Sequence, residues 1–257
     1  MKKIFFTIFI LTAFAHTVSA SESLRFGYIH FPPYLTGKMP DNNVPPNQGL
    51  IIDLLKIACN DANLSVVFNP YPPSRMKHLF EDGSLDLAIA VAESLPENIK
   101  KISVISKPLA AMDICLYQNI ERSKEIVDLK SQLLKKFIIV PKESKPFFEK
   151  LVPKENKFYE AVYPHKIVKM FVHGRADFFM DFSARSDYNF KAFENKIPEY
   201  KKFTLLTVHV VILARKGIPD AKVLTDKIIR SVYKLRNSDQ LKQLYRKYKT
   251  AEIFAKQ

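Results

Sequence analysis

The chain has 257 residues, a formal net charge of +14 and 47% hydrophobic residues, with 20 Phe, 11 Tyr and no Trp. This composition is typical of a globular protein, and the length suffices for two modest domains. The 6 glycines are too few to favour a glycine-rich phosphate loop. The lysines are spread along the chain without a dense basic tract, which indicates a solvated basic surface rather than a nucleic-acid partner.

The amino terminus has the three parts of a secretory signal. Met1–Lys3 is positively charged, Ile4–Ala15 is apolar, and Val18–Ala20 places small residues at a cleavage site. The apolar run is shorter than the roughly 20 residues that span a bilayer, which favours a cleaved signal over a membrane anchor. We therefore expect cleavage after Ala20 and a mature chain that works outside the cytoplasm. No cysteine stands at the cleavage site, so a lipid anchor is not expected.

After the signal, apolar periodicity predicts alternating strands and helices. The predicted strands are Leu24–Tyr28, Ser65–Phe68 and Leu85–Val91, and the predicted helices are Leu50–Ala62 and Ser74–Asp82. The stretch Thr36–Gln48 is rich in proline and asparagine and is predicted to be a loop. This alternation is typical of an α/β layer with a largely parallel sheet.

A second alternating unit follows. Its predicted strands are Asp113–Tyr117, Phe137–Val140, Asp177–Met180 and Leu206–Arg215, and its predicted helices are Asp128–Leu134, Lys145–Leu151 and His165–Val172. The tail Asp220–Tyr248 is predicted to form two helices with a break at Asn237 and Ser238. Two units of similar size predict two lobes rather than one sheet.

An internal similarity supports two related halves. Leu79–Leu87 (LFEDGSLDL) matches Met170–Phe178 (MFVHGRADF), with a shared glycine and a shared aspartate in each. The glycine suits the left-handed position that ends a helix. Helix–glycine–strand units are common in α/β proteins, but the shared aspartate makes coincidence a weaker explanation.

The residue types used in metal sites and nucleophilic catalysis form no motif here. Cys59 and Cys115 each lie in an apolar segment, so a disulfide and two buried free thiols both remain open. His165 and His173 lack the further ligands of a zinc site. The sequence therefore predicts no metal and no cofactor.

Six short motifs occur along the chain between Leu24 and Tyr248. They are LRFGYIHFPPYL, GLIIDLLKIACNDANLSVVF, SRMKHLFEDGSLDLAIA, Asp128-Leu129-Lys130, MFVHGRADFFMD and SDQLKQLYRKY. In order and spacing they resemble the family 3 periplasmic solute-binding proteins, which serve amino-acid ABC transporters. Each motif is weak alone, and the resemblance depends on their order.

The resemblance implies a two-lobed α/β fold of the periplasmic-binding-protein type (type II). Each lobe would be a mixed, mostly parallel sheet flanked by helices, with hinge closure around a ligand held between the lobes. Lobe 1 is expected to comprise residues 21–112 and 216–257, and lobe 2 residues 113–215. Asp113–Tyr117 and Val208–Arg215 would be the hinge crossings. Ligand groups are expected at the carboxyl ends of strands.

Carried over residue by residue, the resemblance implies a ligand site. Its candidate residues are Tyr28, Phe31, Tyr34, Arg75, Ala90, Val91, Ala92, Asn98, Lys142, Ser144 and Asp181. The first three would form an aromatic wall, although local packing of Phe31 and Tyr34 on the prolines is an equal alternative. The three residues at 90–92 would present backbone groups. Asp181 would receive a ligand ammonium through a charge-assisted bond, or cap the helix that follows.

Two departures from the family pattern concern the ligand carboxylate. Asn98 stands where the family has an arginine that pairs with this group, and asparagine supplies neither its charge nor its fork of donors. The family's Gly-Ser-Thr is Glu143, Ser144 and Lys145 here. Arg75 and Lys142 are candidate replacements for the missing cation, with a solvated first-turn residue as the alternative for Arg75.

The resemblance therefore implies a non-enzymatic, monomeric protein in the periplasm. It would capture a small polar solute and deliver it to an inner-membrane ABC transporter permease, or to a sensor. One alternative is an exported dehydratase-like enzyme on the same fold, with Glu93 and Asp181 as general acid and base. Another is an interaction protein that has lost its ligand.

Overall fold

The computed structural model describes residues 23–37, 47–122, 133, 135–193, 196–250 and 253–254. The predicted signal at 1–20, positions 38–46 of the predicted loop and nearly all of the predicted helix at 128–134 lie outside these residues. Among the described residues, no helix is both long and apolar enough to cross a membrane.

The first part of the chain alternates strands and helices, as predicted. Its elements are β1 (Leu24–Tyr28), α1 (Leu50–Asp61), β2 (Val66–Pro70), α2 (Pro73–Glu81), β3 (Leu87–Val91), α3 (Glu97–Ile102) and β4 (Ser103–Ile105). The apolar face of α1 is buried in the core, which explains why its periodicity predicts it well. Helix α3 and strand β4 were not predicted, because 6 and 3 residues are too few for a periodic signal.

The second part begins and ends with long strands. Its elements are β5 (Ala110–Asn119), β6 (Phe137–Pro141), α4 (Lys145–Phe148), β7 (Lys157–Ala161), α5 (Pro164–Val172), β8 (Phe178–Phe182), α6 (Ser183–Phe190), β9 (Tyr200–Arg215), α7 (Ala221–Leu235) and α8 (Asp239–Tyr248). The unpredicted strand β7 lies at the sheet edge with most of its side chains exposed. The unpredicted helix α6 has few apolar residues. Both therefore lack the apolar pattern on which the predictions depend.

Within the described residues, nine strands form one hydrogen-bonded sheet in the order β2-β1-β3-β9-β5-β8-β6-β7, with β4 paired to β9. β1 is parallel to β2 and β3, and β6 is parallel to β7 and β8. The prediction of two separate sheets is wrong in this respect, because β5 and β9 are antiparallel partners from Ala110 to Asn119 and join the two halves. We use lobe 1 for β1–β4 with their helices, and lobe 2 for β6–β8 with theirs.

The carboxyl-terminal helices pack on lobe 1. The Lys247 ammonium lies 2.8 Å from Asp53 Oδ2, and the Tyr248 hydroxyl donates to the same oxygen at 2.6 Å. The Gly49 N–H in turn donates to the Tyr248 hydroxyl at 3.0 Å. These contacts attach α8 to the first turn of α1.

The two cysteines are buried free thiols in different elements. Cys59 lies in α1 and Cys115 in β5, so the disulfide that the sequence left open does not form. Burial raises the pKa of the Cys59 thiol to about 12. A thiol that is protonated at neutral pH is a weak nucleophile, which fits a packing role.

The internal similarity corresponds to two equivalent helix ends. Gly83 follows α2 with φ 86°, and Gly174 follows α5 with φ 64°. The shared aspartates form ion pairs just before the next strand. Asp86 Oδ1 lies 2.9 Å from Arg25 Nη2, and Asp177 Oδ1 lies 3.6 Å from Arg122 Nε. These residues are therefore structural in both lobes.

Candidate functional site

A cleft of about 310 Å³ lies between the two lobes. Its lobe 1 wall includes Ile29, His30, Pro70 and Tyr71, and its lobe 2 wall includes Glu143, Ser144, Val162, Tyr163 and Arg185. Most of these residues follow the carboxyl ends of β1, β2, β6 and β7. Because parallel strands end at one edge of a sheet, this is the edge at which open α/β sheets bind ligands.

Asp181 and Arg185 form a buried ion pair at the lobe 2 wall. Asp181, in β8, is fully buried, and Arg185 lies one turn later in α6 with a side chain 7% exposed. Arg185 Nε donates to both carboxylate oxygens, at 3.1 and 2.9 Å, and Nη2 donates to Oδ1. Oδ1 also accepts the Phe182 N–H at 2.8 Å. The predicted acceptor of a ligand ammonium is therefore engaged by groups of the protein itself.

Arg185 also contacts an aromatic cluster that joins the lobes. Its guanidinium carbon lies 4.7 Å from the ring centre of Phe31 and 5.7 Å from that of Phe182. The two rings meet edge to face at 5.3 Å. Phe31 follows β1 in lobe 1 and Phe182 ends β8 in lobe 2, so these contacts hold the lobes together.

A smaller apolar cavity of about 70 Å³ lies beside this cluster. Three residues from the predicted site, Phe31, Ala90 and Val91, contribute to its wall, together with Met112 and Phe182. Ile29 lines both this cavity and the cleft. The carboxyl end of β3 thus faces an apolar space, as its position in the sheet suggests.

His30 is a cleft residue that the sequence reasoning missed. Its Nδ1 accepts the Gly37 N–H at 3.0 Å, so a neutral ring carries its proton on Nε2. Burial lowers the pKa of His30, and the positive charge of Arg185 lowers it further. The ring is therefore neutral at pH 7. The sequence did offer one signal for this residue: His30 lies two residues beyond the predicted strand Leu24–Tyr28, and ligand groups are expected at the carboxyl ends of strands.

Arg185 was missed for a different reason. Its position one helical turn after Asp181 is meaningful only if α6 exists, and the polar sequence of α6 did not predict a helix. Asp181 lies in β8, two residues before α6 begins, and the first turn of α6 brings the Arg185 side chain back to this carboxylate.

The two predicted tyrosines lie inside lobe 1 and line neither cavity. The Tyr28 hydroxyl lies 2.8 Å from both the Thr36 carbonyl oxygen and Asn47 Oδ1, and it accepts the Asn47 N–H at 2.9 Å. Tyr34 is 2% exposed, and its ring centre lies 6.1 Å from that of Phe31. Burial raises the pKa of both phenols.

The remaining candidates lie at different places, and of these only Ser144 is among the described residues that line the cleft. Ser144 lines it, while Lys142 is exposed beside it. Arg75 is exposed, with its guanidinium carbon 5.8 Å from the ring centre of Tyr71, which lines the cleft. Asn98 donates to the carboxylate of α2 residue Glu81 at 2.5 Å. Ala92 begins a 3-10 turn after β3. Ligand contact by these residues stays a prediction.

No protein-family model matches the chain, and no curated protein sequence matches it. Solved structures do match. A histidine kinase sensor domain with similarity to periplasmic binding proteins has 14% identity and a TM-score of 0.67, over 90% of this chain and 98% of that one. The substrate-binding protein of an amino acid ABC transporter has 16% identity and a TM-score of 0.65, over 88% and 98%.

A third match is an ancestral amino acid-binding protein, a precursor of cyclohexadienyl dehydratase. It has 16% identity and a TM-score of 0.67, over 88% of this chain and 95% of that one. Identities at this level show the fold and nothing finer. Together with the strand order and the interlobe cleft, they show that the chain has the two-lobed α/β fold of periplasmic binding proteins, as its motifs predict.

Proposed function

We propose that this chain is a non-enzymatic solute-binding protein that takes a small polar solute into the cleft between its lobes. The observation that carries the proposal is the cleft itself, which lies at the carboxyl ends of strands from both lobes and has a buried guanidinium in its wall. A solute that contacts both walls binds the closed form better than the open form. It therefore shifts the population toward closure.

The proposed protein is exported to the periplasm and acts there as a monomer. It delivers its solute to an inner-membrane ABC transporter permease, or to a sensor. Three observations support this: the signal pattern at residues 1–20, the likeness to an ABC transporter's binding protein, and the likeness to a kinase sensor domain. Titrating the mature protein into membranes that contain a candidate permease tests the delivery step.

The dehydratase-like alternative requires an available general acid or base. Glu93 accepts the His209 N–H at 2.9 Å, and its Oε1 lies 2.6 Å from His209 Nδ1. Burial opposes ionisation of Glu93, but the His209 hydrogen bonds outweigh it and lower the pKa of this carboxyl. Asp181 is fully buried and ion-paired. Neither Glu93 nor Asp181 lines the cleft, so this geometry does not favour the enzyme.

A thermal-shift screen of the mature chain against a broad metabolite library tests solute binding. A ligand at 100 times its Kd adds about 2.7 kcal/mol to the free energy of unfolding, which raises Tm by a few degrees for a domain of this size. A screen without a single hit on well-folded protein contradicts the proposal and favours an interaction protein that has lost its ligand. Turnover of small acids such as prephenate establishes the enzyme instead.

A further inference from the structure

We propose that the solute of this cleft is a small monocarboxylate with an apolar or aromatic body and no α-ammonium group, and that Arg185 binds its carboxylate. This inference rests on the proposed function and deepens it by naming the class of ligand. It depends on the ion pair in the lobe 2 wall, the donors that this pair leaves unused, and the character of the remaining walls.

The carboxylate that would attract an ammonium is already neutralised. Asp181 is fully buried, and its oxygens accept three N–H groups from Arg185 and Phe182. Arg185 lines the cleft and Asp181 does not. The acidic side chain that does line the cleft, Glu143, is exposed to solvent, where water and salt weaken its attraction for a cation. An ammonium group therefore finds no strong partner here.

The guanidinium retains donors that face the cleft. An arginine has five N–H donors, and Nε and Nη2 of Arg185 are directed to Asp181. Nη1 makes no hydrogen bond to any residue within the described ranges. Arg185 Nη1 is not among the buried side-chain atoms that lack a hydrogen-bond partner, so this nitrogen is accessible, and Arg185 lines the cleft. A ligand carboxylate is the acceptor that a guanidinium binds best.

The charges around this position favour one negative charge rather than two. Arg185 and Asp181 are neutral as a pair, and His30 is neutral at pH 7 because burial lowers its pKa. Among the described residues that line the cleft, Arg185 is the one lysine or arginine. A second anionic group on the solute would therefore find no second cation among these lining residues.

The remaining walls suit an apolar or aromatic body. Tyr71 from lobe 1 and Tyr163 from lobe 2 both line the cleft. Arg185 also contacts Phe31 and Phe182, which line the adjoining apolar cavity of about 70 Å³. A solute whose carboxylate meets Arg185 thus has apolar surface on both sides of that contact.

Matched acids that differ only in the α substituent test the inference on the wild-type mature chain. Isothermal titration compares 3-phenyllactate with phenylalanine, and 2-hydroxy-4-methylpentanoate with leucine. We expect the hydroxy acid to bind at least about tenfold more tightly in one pair or both, because its carboxylate gains the charge-assisted bonds without an unpaired ammonium. If neither hydroxy acid binds more tightly than its matched amino acid, the inference is overturned and solute binding is left intact. Binding of none of the four also overturns it, and the broad screen then judges the proposed function separately.

Variants of Arg185 provide a second readout. Arg185→Met removes the donors and is expected to weaken binding of the hydroxy acid by about tenfold or more, whereas Arg185→Lys retains a charge and is expected to lose less. Arg230→Met, at an exposed arginine of α7, is the matched control and should leave affinity unchanged. Circular dichroism verifies the fold of each variant. An unchanged affinity in folded Arg185→Met contradicts the inference, and if that variant does not fold, Arg185→Lys decides.

Discussion

At the cleft wall, the charge state of individual side chains depends on their neighbours. The sequence left Asp181 either to a ligand ammonium or to a cap of the following helix, and it is the Arg185 guanidinium that meets this carboxylate. His30, which Arg185 influences electrostatically, is held neutral in the lobe 1 wall. The polar character of the cleft therefore follows from pairs of side chains rather than from any one residue type.

His30 should make the stability of the protein depend on pH. Its pKa in the folded state lies below the value of about 6.5 expected in the unfolded chain. Between these two values the unfolded chain binds more protons, so the free energy of unfolding decreases as the pH falls through about 6.5 and levels off below the folded pKa. Urea denaturation from pH 7.5 to pH 5 measures this decrease. In His30→Asn, whose amide oxygen replaces Nδ1 as the acceptor, the decrease should be smaller, and an identical pH slope in both proteins would contradict the assignment.

At the scale of elements, the matching helix ends should be sensitive to a single methyl group. Gly83 and Gly174 both have positive φ, and an added Cβ would lie 2.3 Å from a guanidinium nitrogen of Arg215 and 2.8 Å from one of Arg122, respectively. Gly83→Ala and Gly174→Ala should each lower the free energy of unfolding by about 1–2 kcal/mol, because a side chain is strained in this region. Chemical denaturation measures the change.

Gly217→Ala is the control for these two substitutions. A Cβ at Gly217 has its nearest neighbour at 3.8 Å, which is an ordinary contact. This variant should therefore lie within about 0.5 kcal/mol of wild type. Equal destabilisation at all three glycines would show that the backbone conformation after α2 and α5 is not the cause.

Strands β9 and β5 are both longer than the sequence periodicity predicted. In β9, the first residues after Tyr200 alternate between exposed and half-buried positions and include two lysines, so only the buried later portion, Leu206–Arg215, was predicted. In β5 only Asp113–Tyr117 was predicted, although the ends of this strand are mostly buried as well, because the polar Gln118 and Asn119 at its carboxyl end add no apolar signal. Strand pairing extends these segments, because each satisfies the other's backbone hydrogen bonds.

At the scale of the whole molecule, the aromatic contacts between the lobes should influence closure. Phe31 contacts Phe182 at 5.3 Å and the Arg185 guanidinium at 4.7 Å, and contacts of these kinds contribute about 1 kcal/mol each. Phe31→Ala should therefore shift the population toward the open form by several-fold or more. Small-angle X-ray scattering of the ligand-free protein should show a larger radius of gyration.

The matched control for this variant is Phe137→Ala. Phe137 is 66% exposed on β6, away from the residues that line the cleft. Its removal should leave the radius of gyration unchanged. If Phe31→Ala scatters like wild type, the interlobe contacts do not contribute to closure.

The sequence by itself determined the alternation of strands and helices, the two related halves and the glycines that end α2 and α5. These features depend on periodicity and backbone conformation, which are local properties of the chain. Only the tertiary structure decided that β5 and β9, which contain the expected hinge crossings, pair with each other in one sheet. It also decided that the cysteines stay apart, that Tyr28 is enclosed within lobe 1, and that Arg185 forms an ion pair with Asp181. Those outcomes depend on packing, which sets the distances between separate elements. The contact of Arg185 also depends on α6, a helix whose polar sequence does not predict it.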